Sequence, residues 1–230
     1  MVFPAFRTIS AVTLVAVALS VPVVAAQITY SDYVSFVAVE IGSTVYSCTS
    51  TSDPNCAFAQ IVAVGNTADV QPFSVTGASG FRNLLPGTIP TVNIFFNGGQ
   101  PSISLNLLAG QISVAVDQTN GGAGYGSAYG PTYPMATYGG GADYAHYNLQ
   151  TNFYVQGFGG FCPDPNVCNT GEPLQTTSGQ DLIISYPFRP DFSIFSSQVA
   201  APEPATCSLL VAATALGRRA VRRRKTGSTA

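Results

Sequence analysis

The chain has 230 residues, a formal net charge of −2 and only 9% charged residues. Between Gln27 and Ala201 ten acids face two bases, Arg82 and Arg189, for a net charge of −8, while six of the nine basic residues follow Gly217. An acidic stretch nearly free of cations excludes nucleic acid as a partner, and the roughly 175 residues between the two ends suit one domain with a sizeable core.

In chain order, the first feature is a leader. Arg7 precedes an uncharged run from Ile9 to Val24. Val24-Ala25-Ala26 then places small residues where signal peptidase reads. Residues 1–26 are therefore read as a secretory signal peptide, a helix that is removed on export. The cysteines fit that route. Cys48 and Cys56, then Cys162 and Cys168, form two close pairs, read as disulfides closing small loops, although four cysteines allow three connectivities. A zinc site fits poorly, because the intervals are not the metal-binding type and His146 is the only histidine. Asp53-Pro54-Asn55 and Asp164-Pro165-Asn166 are turn formers beside the two pairs and offer too few oxygens for calcium. No metal and no cofactor is expected.

Residues 27–200 alternate with period two, the mark of strands. Tyr33 to Ile41 is rich in β-branched and aromatic residues, and Ile61 to Val64 is read as a short buried run. Val92 to Phe96 ends in the turn former Asn97-Gly98-Gly99. Ile103, Leu105 and Leu107, then Ile112, Val114 and Val116, alternate on either side of Ala109-Gly110 and predict a hairpin with one wet face. Asn152 to Gln156 and Leu182 to Tyr186 predict two later strands, ended by Pro187 and Pro190. Helix formers are scarce. About eight to ten strands predict an all-β fold, an antiparallel β-sandwich of jelly-roll-like or Ig-like kind. One segment, Gly121 to Tyr147, is mostly Gly, Ala and Tyr, and predicts a long surface loop.

At the far end, Pro202-Glu203-Pro204 precedes an uncharged run from Ala205 to Gly217, followed by Arg218-Arg219 and by Arg222-Arg223-Arg224-Lys225. The run predicts a short apolar helix, with Cys207 as a small apolar member, and the arginines read as a cytoplasmic flank. Residues 201–225 closely resemble the PEP-CTERM sorting signal of exported bacterial proteins, and residues 226–230 form a short tail beyond it. The resemblance implies recognition of Pro202, Glu203, Pro204, Arg218, Arg219, Arg222, Arg223 and Arg224 by an exosortase. It implies a bacterium that makes extracellular polysaccharide, and a protein of the cell envelope, cell surface or matrix. The apolar run of thirteen residues falls short of the roughly 20 that span a bilayer, which fits transient membrane contact and removal.

Three classes of function remain for the domain. The first is a non-enzymatic surface or matrix protein that binds extracellular polysaccharide through the tyrosines Tyr125, Tyr129, Tyr133 and Tyr138 of the Gly/Tyr segment, since phenol rings stack on sugars. The second is a secreted hydrolase, either an esterase-type enzyme with His146 as its base, for which no Gly-x-Ser-x-Gly motif occurs, or a glycosidase with two facing carboxylates from Asp143, Asp164 or Asp181. The third is an adhesive assembly module using uncharged β-edges. The first, without catalytic residues, is the expectation carried forward.

Overall fold

The computed structural model describes residues 25–127, 135–138, 144–159, 173–185 and 192–201. Residues 1–24, the Cys162–Cys168 pair and the whole sorting segment from Pro202 through Arg224 lie outside the described residues.

The described residues are almost entirely strand. In chain order these are β1 (Gln27–Ile41), β2 (Thr44–Tyr46), β3 (Ala57–Asn66), β4 (Val70–Val75), β5 (Ala78–Asn83), β6 (Thr91–Phe96) and β7 (Ile103–Asn106). After them come β8 (Ile112–Asp117), β9 (Gly122–Ser127), β10 (Met135–Tyr138), β11 (Phe153–Gly159), β12 (Leu174–Gln175), β13 (Asp181–Ser185) and β14 (Ser193–Val199). Single 3-10 turns at Thr67–Asp69 and Tyr144–His146 are the helical content among the described residues. No described helix is long and apolar enough to cross a membrane.

Every strand pairing is antiparallel, along the path β4-β5-β8-β9-β10-β11-β14-β1-β3-β6-β7. The fold is all-β, as the period-two pattern predicts. At its far end the path closes. Leu107 bridges Thr176, Leu108 N–H donates to the Gln175 carbonyl at 2.9 Å, and Thr177 N–H donates to the Asn106 carbonyl at 2.8 Å. Since β12 pairs β13 and β13 pairs β1, the end of β7 is covered rather than left open.

The long strand β1 organises this arrangement. Its residues alternate between buried and half-buried, so Ile28, Tyr30, Asp32 and Val34 point inward. Between Val34 and Val37 the pairing with β3 slips by one residue. This is a β-bulge, with Phe36 in the left-handed region at φ 56°. The extra residue keeps Val37, Val39 and Ile41 buried while the strand turns from β14 and β3 towards β13 and β2. Ser35 holds the bulge, its N–H and hydroxyl both donating to the Phe192 carbonyl at 3.1 and 2.9 Å.

Three predicted features are corrected. The 103–116 hairpin does not form: β7 pairs β6, whereas β8 pairs β5 and β9. The alternation in 112–116 conceals a strand buried on both faces, because Ser113 and Ala115 are covered as fully as Ile112, Val114 and Val116. Such a strand needs neighbours over both faces, which a two-stranded wet hairpin cannot supply. Secondly, the 121–147 surface loop contains β9 and β10, and its Tyr125, Tyr144 and Tyr147 are core residues. Thirdly, the described residues hold fourteen strands where eight to ten were expected.

The core is sealed around Tyr30 in β1. Its hydroxyl donates to the Leu149 carbonyl at 2.8 Å and accepts from Asn83 Nδ2 at 3.2 Å, while its own carbonyl accepts from the Tyr125 hydroxyl at 2.8 Å. The last of these joins β9 to β1, on opposite arms of the strand path. Gly65 in β3 explains why the ring fits: a Cβ there would lie 2.8 Å from Asn83 Nδ2 and Leu85 Cδ2 and 3.1 Å from Tyr30 Cε2. Leu85 and Leu149 beside it are buried non-glycine residues at φ 51° and 62°, a strained backbone that the packing holds.

Cys48 and Cys56 form the expected disulfide, with Cα atoms 4.4 Å apart and both residues buried. Asp53 shapes the loop between them. Its carboxylate accepts from the Thr49 hydroxyl and N–H and from the Asn55 N–H, and those hydrogen bonds, the Thr49 hydroxyl foremost, hold its pKa below the ordinary value. The turn is thus an Asx turn pinned by a covalent bond. Gly98 N–H to the Pro54 carbonyl (3.0 Å) and Gln100 Nε2 to Asn55 Oδ1 (3.0 Å) fasten it to the β6–β7 turn.

Two outcomes follow from this packing. Gly65→Ala should lower the unfolding free energy by roughly 1–3 kcal/mol, because the neighbours are core groups with little room to move; urea denaturation measures it, and an unchanged midpoint would show the contact to be slack. Replacing both Cys48 and Cys56 by Ala should remove about 2–3 kcal/mol of chain-entropy stabilisation, read by the same titration.

Candidate functional site

The strands β11, β14, β1, β3, β6 and β7 form one continuous six-stranded sheet with an inner and an outer face. Inner positions are buried and mostly apolar, among them Val155, Phe195, Ile28, Ile61 and Ile94, with Asp32, Ser193 and Ser197 as buried polar members. The outer positions align in register as two cross-strand rows. One row runs Gln156, Ile194, Tyr33, Gln60, Asn93 and Ser104, and the next runs Tyr154, Ser196, Ser31, Val62, Thr91 and Asn106. Neither row holds an acid or a base. The described acids lie elsewhere: Asp32 is inside, Asp53, Asp69 and Asp117 sit at turns or strand ends, and Glu40 and Asp181 lie beyond the bulge or on β13.

Six polar side chains of these rows, on β1, β3, β6 and β7, are joined to one another. Gln60 Nε2 donates to Ser31 Oγ at 2.9 Å, Asn93 Nδ2 to Gln60 Oε1 at 3.5 Å, and Ser104 Oγ to Asn93 Oδ1 at 2.9 Å. Thr91 Oγ1 donates to Asn106 Oδ1 at 3.1 Å. The Asn93–Gln60 link is the weakest, at the outer limit of a hydrogen bond. Each amide retains a second N–H and a second lone pair for an outside partner.

Aromatic rings border this ladder. Tyr33 stacks on Phe58 with ring centres 6.0 Å apart, Phe36 meets Phe58 at 5.6 Å, and Phe192 approaches Tyr33 edge-on at 6.3 Å. Phe95 pairs with Phe58 across the strands and is 42% exposed, and Tyr154 is 64% exposed. Partial burial pushes the Tyr33 phenol above its ordinary pKa. The face therefore offers stacking surfaces and neutral hydrogen-bonding groups together.

Of the four tyrosines of the Gly/Tyr segment expected to bind sugar, Tyr125 does not belong to such a surface. Tyr125 is fully buried in β9, and its hydroxyl is used within the core, so its ring is not available to a sugar. Tyr129 and Tyr133 lie outside the described residues, and Tyr138 falls in β10. The chemistry expected of that segment is found instead on β1, β3, β6 and β11. A signal existed in the alternation of Gln60, Val62 and Val64, or Thr91, Asn93 and Phe95, but not in any single motif.

Of the hydrolase residues, the two that are described, His146 and Asp181, sit on separate elements. Exposed His146 lies in the 3-10 turn Tyr144–His146, whereas Asp181 opens β13, where its carboxylate accepts from Gln175 Nε2. That turn shares no strand pairing with β13. Asp143 and Asp164 lie outside the described residues. Among the described residues no group of three or more His, Cys, Asp or Glu side chains is placed to hold a metal.

Beneath the face, the core phenols resist ionisation. Burial, opposed in part by the Asn83 hydrogen bond, pushes Tyr30 from the ordinary 10.0 up to about 12. Burial raises Tyr125 and Tyr147 as well. Folded-state values above the unfolded one mean that this stabilisation is complete below pH 10 and is lost as the pH rises through about 12. Denaturation midpoints should therefore fall steeply over that interval, and Tyr30→Phe should flatten part of the fall; midpoints level across it would contradict the burial of these phenols.

Comparison of the chain with protein-family models, with curated proteins and with solved structures gives no match.

Proposed function

We propose that this is an exported bacterial surface or matrix protein, without enzymatic activity, that associates with extracellular polysaccharide. The observation that carries the reading is the outer sheet face, where amides, hydroxyls and aromatic rings are aligned in register with no acid or base among them. Such groups hold a hydroxyl-rich chain, whereas bond cleavage calls for titratable groups placed at one point.

Export is read from both ends of the chain: a signal peptide of residues 1–26 taken by signal peptidase, and a PEP-CTERM segment from Pro202 to Arg224 taken by an exosortase. The Cys48–Cys56 disulfide accords with an oxidising destination. Membrane contact is confined to the C-terminal segment and is transient. For the fold, the link from Tyr125 to Tyr30 between two arms of antiparallel strands favours a sandwich, and the repeated crossings of the chain between those arms favour the jelly-roll-like arrangement over the Ig-like one.

Intact-mass measurement on the protein recovered from its native cells tests this reading. The expected mature chain begins at Gln27, ends near Pro204, and is released from the extracellular fraction when the polysaccharide is digested. A chain that still carries Arg218–Arg224, or one confined to the cytoplasm, would overturn it.

A further inference from the structure

We propose that the ligand surface is the outer face of the six-stranded sheet, and that its ligand is an electrically neutral polysaccharide, extended as a flat ribbon and lying across the strands. This rests on the reading above that the protein partners polysaccharide, and it specifies both where and what kind.

Neutrality follows from the charge map. The stretch Gln27–Ala201 carries a net charge of −8, so a polyanion is repelled at long range. At short range no described residue of the face is a cation: the one described arginine, Arg82, lies on β5, at the other end of the strand path. A neutral chain meets neither obstacle, and its hydroxyls match the spare donors and acceptors of Gln60, Asn93 and Ser104.

Direction follows from register. The ladder Ser31–Gln60–Asn93–Ser104 crosses four strands, β1, β3, β6 and β7, and Tyr33 and Tyr154 carry the same surface on towards β11. Neighbouring strands are about 4.8 Å apart, so six strands present a track of roughly 24 Å, long enough for several sugar units in succession. The rings of Tyr154, Tyr33 and Phe95 offer apolar faces to the C–H faces of sugar rings. Because the polar side chains are already fixed to each other, little side-chain entropy remains to be lost on binding. A helical or coiled glycan would touch such a face at only one point.

A second copy of the chain is the competing occupant, since Phe95 and Val64 are exposed on this face. The experiment separates the two. The full secreted protein is run in native gels containing hydroxyethyl cellulose, a neutral ribbon, or alginate, an anionic one, with sedimentation in parallel. The expected result is retardation by hydroxyethyl cellulose and none by alginate. Tyr154→Ala and Asn93→Ala should each weaken retention roughly three- to tenfold, the weight of one ring or hydrogen-bond contact. Val75→Ala, exposed on β4 and off the face, should leave retention unchanged. Tyr154 is mostly exposed, so its loss leaves the core intact, and an unchanged thermal midpoint confirms that.

Retention by hydroxyethyl cellulose that survives both face variants would sink this surface while leaving the polysaccharide reading standing. Preference for alginate would overturn neutrality. Failure on both gels, with the native protein also absent from the polysaccharide fraction, removes this inference and the reading beneath it together. Concentration-dependent sedimentation abolished by Tyr154→Ala, with no retention on either gel, would assign the face to self-association instead.

Discussion

The Tyr30 phenol gives and takes a hydrogen bond in a place where an unmade one is costly. A buried hydroxyl without partners costs on the order of 1–3 kcal/mol, so its neighbours must be positioned with care. Asn83 supplies the donor and the Leu149 carbonyl the acceptor. Asn83 in turn holds the Asn66 carbonyl and the Leu85 N–H, and Leu85 and Leu149 accept a left-handed backbone to close around the ring. The Tyr125 hydroxyl reaches the carbonyl of the same residue from β9. Four separate parts of the chain therefore agree on one position, and none of them is near Tyr30 in sequence.

That agreement is what allows the opposite face of the sheet to be polar. Tyr30 points inward, while Thr29 and Ser31 point out. With the inner face fixed, β1 and β3 cannot slip by one residue, because a slip would carry Ile61 and Ala63 outward and Gln60 and Val62 inward. The register of the outer rows is thus set from beneath. Ser31, Gln60, Asn93 and Ser104 meet because the apolar residues between them have nowhere else to go.

This also explains which parts were legible in the sequence. The strands β1, β6 and β11 showed as β-branched and aromatic stretches, whereas β3, read as a short buried run over Ile61–Val64, has one wetter face that exposes Val64. The close spacing of Cys48 and Cys56 was enough to pair them. Tyr125, Tyr144 and Tyr147 misled because Tyr reads as a surface residue wherever aliphatic neighbours are missing. In the fold, Tyr125 and Tyr147 are core side chains whose hydroxyls find distant partners, the Tyr30 carbonyl and Ser197 Oγ. Those partners lie 95 and 50 residues away, beyond any local pattern. Ile103–Leu107 and Ile112–Val116 were rightly seen as strands and wrongly joined, because alternation reports how many faces are wet and not who the neighbour is. The polar ladder escaped notice for the same reason: its members are ordinary wet-face residues until registry lines them up.

The placement of β14 has a consequence for the order in which the molecule can be made. It is the last described strand, yet it sits in the middle of the sheet, between β11 and β1. Its end at Val199 lies opposite Ile28, and Ala200 N–H donates to the Gln27 carbonyl, so entry and exit of the domain are side by side. A chain emerging from its amino end first holds β1 with one side unpaired until nearly all of residues 27–199 have appeared. Only then does the final strand complete the seam. Closure of the sheet is thereby tied to completion of the domain's chain rather than to its first strands.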